Sequence, residues 1–215
     1  MKILTLGDSF TFGAELQHPD KDAWPFLIGN KLDSEITNLA KPGSGNTRMV
    51  RHAVEQINNY DLIIIAWSHF ARTELADENG FYDIWPGCSA LPHKEFSSWR
   101  SDVINYYSKH HNDQYLYNQY LINIIVIQQY LKSNNKKYIM MDTFGNNNYR
   151  KNKYKKNNTV VDQIDSAYYV GWPNEGMVEW MGDCPKGPGG HPLELGHQRI
   201  AEQINEHIRH LGWIS

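Results

Sequence analysis

Cysteine is scarce in this chain. Cys88 and Cys184 are the two among 215 residues, too few and too far apart for a disulfide framework or a zinc signature, so reduced thiols are expected. Charge of one sign is not in excess either. Lysine and arginine total 21 against 24 aspartates and glutamates, a formal net charge of -3, which gives no general attraction to nucleic acid or to an anionic membrane surface. Long apolar runs are missing, and none approaches the ~20 residues that a spanning helix needs. Met1-Lys2 passes directly into Ile3-Leu4-Thr5-Leu6, with no basic, apolar and small-residue segments in succession. No signal peptide is read from this, no membrane insertion is expected, and the location expected is cytoplasmic. There is no internal repeat, and His69, His93, His110 and His111 show no metal-ligand spacing. Neither a metal nor another cofactor is expected.

What is present is an ordinary globular balance, with 40% apolar and 21% charged residues and a length that suits one well-buried domain over residues 1–215. Aromatics are plentiful, with 13 tyrosines and 7 tryptophans, rings that suit either a core or a cleft lined for sugar or acyl groups. Ile3 to Leu6, Ile36 to Leu39, Leu62 to Ala66 and Tyr138 to Met141 are short apolar runs bounded by Gly, Asp, Asn or Lys. Near-continuous apolar runs of this length predict strands covered on both faces.

Helical patterns lie between these runs. Trp24-Pro25-Phe26-Leu27 with Leu32 places a proline in a first turn, and Met49, Val50, Ala53, Val54 and Ile57 repeat at helical spacing. A long buried helix is predicted over 112–134, through Tyr117, Tyr120, Leu121, Ile124 and Leu131. A last one is predicted from about Pro192 to Leu211, through Ile200, Ala201, Ile204 and Ile208. The alternation predicts an α/β fold, a three-layer α/β/α sandwich on a mainly parallel, flavodoxin-like sheet, with ligand sites beyond the carboxyl ends of its strands. Residues 73–111 are long for a connection and read as an insertion over the cleft. The basic stretch 146–158, NNNYRKNKYKKNN, reads as a solvated loop.

The chemistry concentrates at the two ends. GDSFTFG puts Ser9 on the turn behind the first strand, and GGHPLELGHQRIAEQI puts His191 on a glycine-rich loop before the last helix. A serine hydroxyl is a poor nucleophile until a base takes its proton, and histidine does this near neutral pH. With the NLAKPG element after the second strand, Asn38 to Gly43, this order and placement resembles the SGNH or GDSL hydrolase family over the length of the chain. The three motifs together are also similar to uncharacterised GDSL-like proteins of tailed bacteriophages, implying expression in an infected bacterium or incorporation in a virion.

The resemblance implies that Ser9 attacks an ester carbonyl, that His191 takes its proton, and that an acyl-enzyme follows. It implies oxyanion donors at the N–H of Ser9, the N–H of Gly43 and a side chain after the third strand. Gly43 reads equally as a turn residue in PGSGN. Where the family has Gly-x-Asn-Asp, this chain has Ala66-Trp67-Ser68-His69. Ser68 stands at the asparagine position as a shorter donor, with Asn46 the alternative. Where the family has Asp-x-x-His, the acid position holds Pro188. Either a backbone carbonyl then orients His191, or an acid comes from elsewhere, with Asp183 the candidate.

His197, in the Glu194-x-x-His197 pair, is the lesser candidate for the base, and Glu194 is expected to complement the helix dipole. Asp8 is expected to support the turn through backbone hydrogen bonds. Arg72 and Glu74 either bind a polar substrate or pair with each other, and Trp67 either lines the pocket or packs in the core. The resemblance implies ester hydrolysis, with small O-acyl groups on a carbohydrate as the preferred substrate and the family's lipid and thioester branches open; the partner expected is a small-molecule or glycan ester, with no nucleic acid. A catalytically impaired carbohydrate-binding module on the same fold is the alternative. A flavodoxin-like nucleotide binder, its phosphate cradled by residues 7–13, comes third.

Overall fold

The computed structural model describes residues 1–88, 98–144 and 159–213. His93 and the basic stretch at 146–158 lie outside the described residues. In chain order the elements are β1 (Lys2–Leu6), α1 (Ser9–Phe12), α2 (Pro19–Asp22), α3 (Trp24–Lys31), β2 (Glu35–Asn38), α4 (Asn46–Gln56) and β3 (Leu62–Trp67). There follow β4 (Thr73–Asp77), β5 (Gly80–Ile84), α5 (Ser98–His110), α6 (Asp113–Ser133), β6 (Lys137–Asp142), α7 (Met177–Met181) and α8 (Glu194–His210).

Four strands pair in parallel in the order β2-β1-β3-β6. The apolar runs form strands because both faces of the sheet are covered: every residue of β3 is buried, as are five of the six in β6. Side-chain alternation divides β3 between two cores. Ile63, Ile65 and Trp67 pack with Met49 and Ala53 of α4 and Tyr117, Leu121 and Ile124 of α6. Leu62, Ile64 and Ala66 pack with Trp24 and Ile28 of α3 and Ile200, Ala201, Ile204 and Ile208 of α8. Each such aliphatic side chain taken from water contributes roughly 1.5–3 kcal/mol. The result is an α/β/α sandwich. Beyond β6, the N–H of Val170 donates to the carbonyl of Met140 at 2.8 Å, so the chain near Tyr169 adds a single parallel bridge at the sheet edge.

The connection after β1 runs over the α3/α8 face, and the connection after β3 runs over the α4/α6 face. Adjacent strands with diverging connections open a crevice beyond their carboxyl ends. The N-cap of α1 and the loop behind β3 line that crevice. Residues 73–111 contribute the β4–β5 hairpin and α5, held together by Tyr82, Ile84, Cys88 and Ile104 and by Arg100 chelating Asp77 at 2.7 and 2.9 Å. Among the described residues no helix is long and apolar enough to cross a membrane.

Candidate active site

The turn after β1 is shaped by Asp8. Its side chain caps α1 by accepting the Phe10 N–H at 3.1 Å. The same carboxylate, with no exposed surface, accepts from the Ser68 hydroxyl at 2.7 Å, from Arg72 Nη1 at 3.3 Å and from the Thr143 hydroxyl at 3.4 Å. Asp8 thus ties the loops behind β1, β3 and β6 together. Burial pushes its carboxyl above the usual range, and the Arg72 guanidinium is the strongest of the contacts pulling it back. Ser9, the next residue, begins α1 and is 6% exposed.

Asn38 locks the loop behind β2 to this turn. Its amide donates to the Thr11 carbonyl at 2.9 Å while its oxygen accepts from Thr5 and from the N–H of Ala40. Gly43 follows at φ 77°, in the left-handed region, where an added Cβ would also lie 3.0 Å from the Trp85 ring. Among the described residues neither the Ser9 N–H nor the Gly43 N–H donates to a protein acceptor. These two backbone donors are thus uncommitted among the described residues.

The third donor differs from expectation. The Ser68 hydroxyl proton goes to Asp8. The Asn46 amide braces the backbone behind β3, donating to the carbonyl of His69 at 3.1 Å and accepting the Ser68 N–H at 2.9 Å. Both side chains are occupied because they stitch together the Ala66-Trp67-Ser68-His69 segment behind β3. Trp67 likewise does not reach the crevice: strand alternation turns it into the α6 core, fully buried and edge-on to Tyr120 at 6.2 Å.

Arg72 and Glu74 do not pair. Glu74 is held by Arg51 at 2.8 and 2.9 Å, whereas Arg72 reaches back to Asp8 and to the Ser68 Oγ at 3.1 Å. The Arg72 guanidinium lies 5.4 Å from the Trp85 and Phe144 rings alike. All three line an open pocket of about 330 Å³, together with His69, His111 and Asp113. Burial, and then the Arg72 charge, lowers the His69 imidazole to about 4, so it is neutral at pH 7. The pocket adjoins the Ser9 turn through aromatic contacts: Phe144 meets Phe10 at 5.4 Å, and Phe10 meets His191 at 5.6 Å, both edge-on.

His191 stands on a tight loop. Gly187 N–H donates to the His191 carbonyl and Gly190 N–H to the Gly187 carbonyl, both at 2.9 Å. Pro188 therefore sits at a corner of the turn. Asp183 does not fill the missing acid position. Its side chain is 97% exposed and points to Arg199 at 3.4 Å, whose Nη1 also donates to the Met181 carbonyl at 3.1 Å and so keeps the pair on the α8 side of the segment. The carboxylate on His191 is that of Glu15, whose Oε2 lies 2.8 Å from Nδ1 and accepts the His191 N–H at 3.1 Å, while Oε1 accepts the Gly189 N–H at 2.6 Å. These contacts, that of Gly189 foremost, hold the Glu15 carboxyl below its usual range. Sequence reasoning missed Glu15 because it sought an acid near the histidine. The available signal was an acidic residue just beyond the serine turn.

His197 is removed from consideration as a base. It is fully buried, accepts the Trp24 N–H at Nδ1 over 3.2 Å, and is lowered to about 4 by burial.

The layered sheet, with a serine behind β1 and a histidine before the last helix, has the fold of the SGNH hydrolases. The chain superposes on the TesA structure with a TM-score of 0.60 at 13% identity, covering 98% of this chain and 99% of that one. EstA from Pseudoalteromonas, a psychrotrophic esterase solved in a form inhibited by monoethylphosphonate, gives 0.59 at 15% identity over 99% of both chains. A mutant of Axe2, an acetyl-xylooligosaccharide esterase from Geobacillus, gives 0.56 at 15% identity over 96% of this chain and 93% of that one. At such identities the likeness is one of fold. By sequence, the chain belongs to the family of unknown function DUF6071, whose model matches residues 13–215. No curated protein matches it.

Proposed function

We propose that the protein is a serine ester hydrolase. Ser9 Oγ attacks the acyl carbonyl as its proton passes to Nε2 of His191, and the departing alcohol takes that proton. Water then attacks the acyl-enzyme with His191 again as base, releasing the acid and restoring Ser9. The uncommitted amides of Ser9 and Gly43 receive the oxyanion, each contributing on the order of 10²- to 10³-fold. Arg72, whose Nε and Nη2 have no hydrogen-bond partner among the described residues, binds the polar part of the substrate. The observation that carries this reading is the contact between Phe10, adjoining Ser9, and the His191 ring at 5.6 Å. It supports a shared crevice for residues from opposite ends of the chain.

The substrate class this pocket supports is a small O-acyl ester of a carbohydrate. Trp85 and Phe144 offer flat faces for the C–H side of a sugar ring while Arg72 meets its oxygens. The likeness in fold to an acetyl-xylooligosaccharide esterase supports the same reading. One observation favours a binding module instead: Ser68 and Asn46 are both engaged elsewhere, so the third oxyanion donor of the family is not at its usual place.

A fluorophosphonate probe followed by peptide mapping separates the two. Labelling confined to Ser9, with hydrolysis of O-acetylated oligosaccharides abolished in Ser9→Ala and His191→Ala, is the result expected. Activity that survives both substitutions removes the reading. Glycan binding without labelling moves it to the module.

A further inference from the structure

We infer that Glu15 is the acid partner of His191, a positioning residue that accepts a hydrogen bond from Nδ1–H and leaves Nε2 for Ser9. The inference rests on the esterase reading, and it replaces an acid that the histidine's own loop cannot supply. That loop closes through the Gly190-to-Gly187 hydrogen bond, with Pro188 at its corner.

Two backbone N–H groups and one ring nitrogen converge on the one carboxylate: Gly189 N–H at 2.6 Å, His191 N–H at 3.1 Å and His191 Nδ1 at 2.8 Å. An isolated exposed ion pair is worth ~0–1 kcal/mol and is often incidental. Here the backbone is built around the contact. A Cβ on Gly187 would fall 2.6 Å from the Glu15 carboxyl carbon, and one on Gly189 would lie 3.1 Å from Oε1. At Gly187 in particular, the room a side chain would take is filled by the Glu15 carboxylate.

Glu15 itself is held at φ 72°, a left-handed conformation rare for a non-glycine residue and costing on the order of 1 kcal/mol. The nucleophile's own segment sets that conformation. The carbonyl of Ser9 accepts the N–H groups of Gly13 at 3.1 Å and Ala14 at 3.0 Å, and Gly13 accepts the Leu16 N–H at 3.2 Å. Acid and nucleophile therefore ride on one rigid turn, and the carboxylate fastens the base-bearing loop to it. In the reaction no proton reaches Glu15. Its charge selects the Nδ1–H tautomer and stabilises the imidazolium formed when Ser9 loses its proton.

The test compares Glu15→Gln, Glu15→Gly and Asp183→Asn with the unaltered protein. It uses the rate of Ser9 phosphonylation by a fluorophosphonate and the hydrolysis of p-nitrophenyl acetate. Expected are a fall of about 10²- to 10⁴-fold in kcat for Glu15→Gln, KM within about threefold, and no change for Asp183→Asn. Glycine suits the backbone at position 15, so Glu15→Gly keeps the turn and leaves a carboxylate-sized gap. Added formate is expected to restore its rate saturably and to leave the unaltered protein unaffected, which a purely structural contact would not do.

Both Glu15 variants labelling within about threefold of the unaltered protein, or formate giving no recovery, overturns the inference. Nitrogen NMR of the unaltered protein decides it should a variant fail to fold. The His191 ring carrying its proton on Nδ1, coupled to Glu15, supports the assignment, and a proton on Nε2 overturns it. If Ser9 is never labelled, the esterase reading fails while the tautomer still reports on the Glu15 contact.

Discussion

The Glu15 carboxylate and the His191 imidazole meet at 2.8 Å although 176 positions separate them in the chain. One belongs to the loop that follows the first helix, the other to the loop that precedes the last. Their meeting depends on the parallel sheet, which delivers both segments to one edge. Gly187 is the residue that leaves room for it.

Gly187→Ala is therefore expected to push the Glu15 carboxylate off His191 while leaving the sheet intact, since the three atoms nearest the new methyl all belong to the Glu15 side chain. Ser9 labelling should slow by about tenfold or more, with an unchanged melting temperature to within about 2 °C. Equal slowing in a variant already carrying Glu15→Gln would place the effect elsewhere. A double-mutant cycle on labelling rates makes that comparison.

Trp67 should matter for stability and not for substrate. Its indole is fully buried between β3 and α6, so Trp67→Ala is expected to cost about 3–5 kcal/mol in denaturant unfolding. Trp67→Phe, which keeps a ring against Tyr120, should leave KM unaltered.

Removing the Arg72 guanidinium strands the buried Asp8 carboxylate. Arg72→Met is expected to destabilise by about 3 kcal/mol or more, because one member of a buried pair is left uncompensated. The double variant Asp8→Asn, Arg72→Met should recover much of this in urea unfolding. A single variant as stable as the parent would show that the pair contributes nothing.

His197 predicts a pH dependence. Its folded value is lowered by burial to about 4 from an ordinary 6.5, so the unfolded chain binds the proton more readily. The stability this contributes is full above about 6.5 and is lost as pH falls from there through about 4, amounting to about 3 kcal/mol. Measured by urea unfolding between pH 4 and 7, the slope should flatten in His197→Gln. His69, lowered in the same direction for the same first reason, supplies a residual slope.

Much of the scaffold was legible because its causes are local. A parallel strand buried on both faces must be apolar along its length, so Leu62–Ala66 could hardly be anything else, and β3 extends it by one residue to Trp67. The helix periodicity of Ile200, Ala201, Ile204 and Ile208 names the buried face of α8 directly. Partners were harder to read. Asp183 and Glu15 are both acids within reach of some loop. Which one meets His191 depends on the 187–190 turn closing on itself and on the loop behind α1 folding back along it.

The same division runs through the site. The order of residues alone determines that a hydroxyl follows the first strand and an imidazole precedes the last helix, because strand and loop composition are properties of short segments. The direction of Trp67, the capture of the Ser68 proton by Asp8, the pairing of Arg72 with Asp8 and not Glu74, and the arrival of Glu15 at His191 were settled by folding. Each depends on which side chains find themselves within about 3 Å once loops from distant segments share one sheet edge, and hydrogen bonds at that range have no sequence periodicity to announce them.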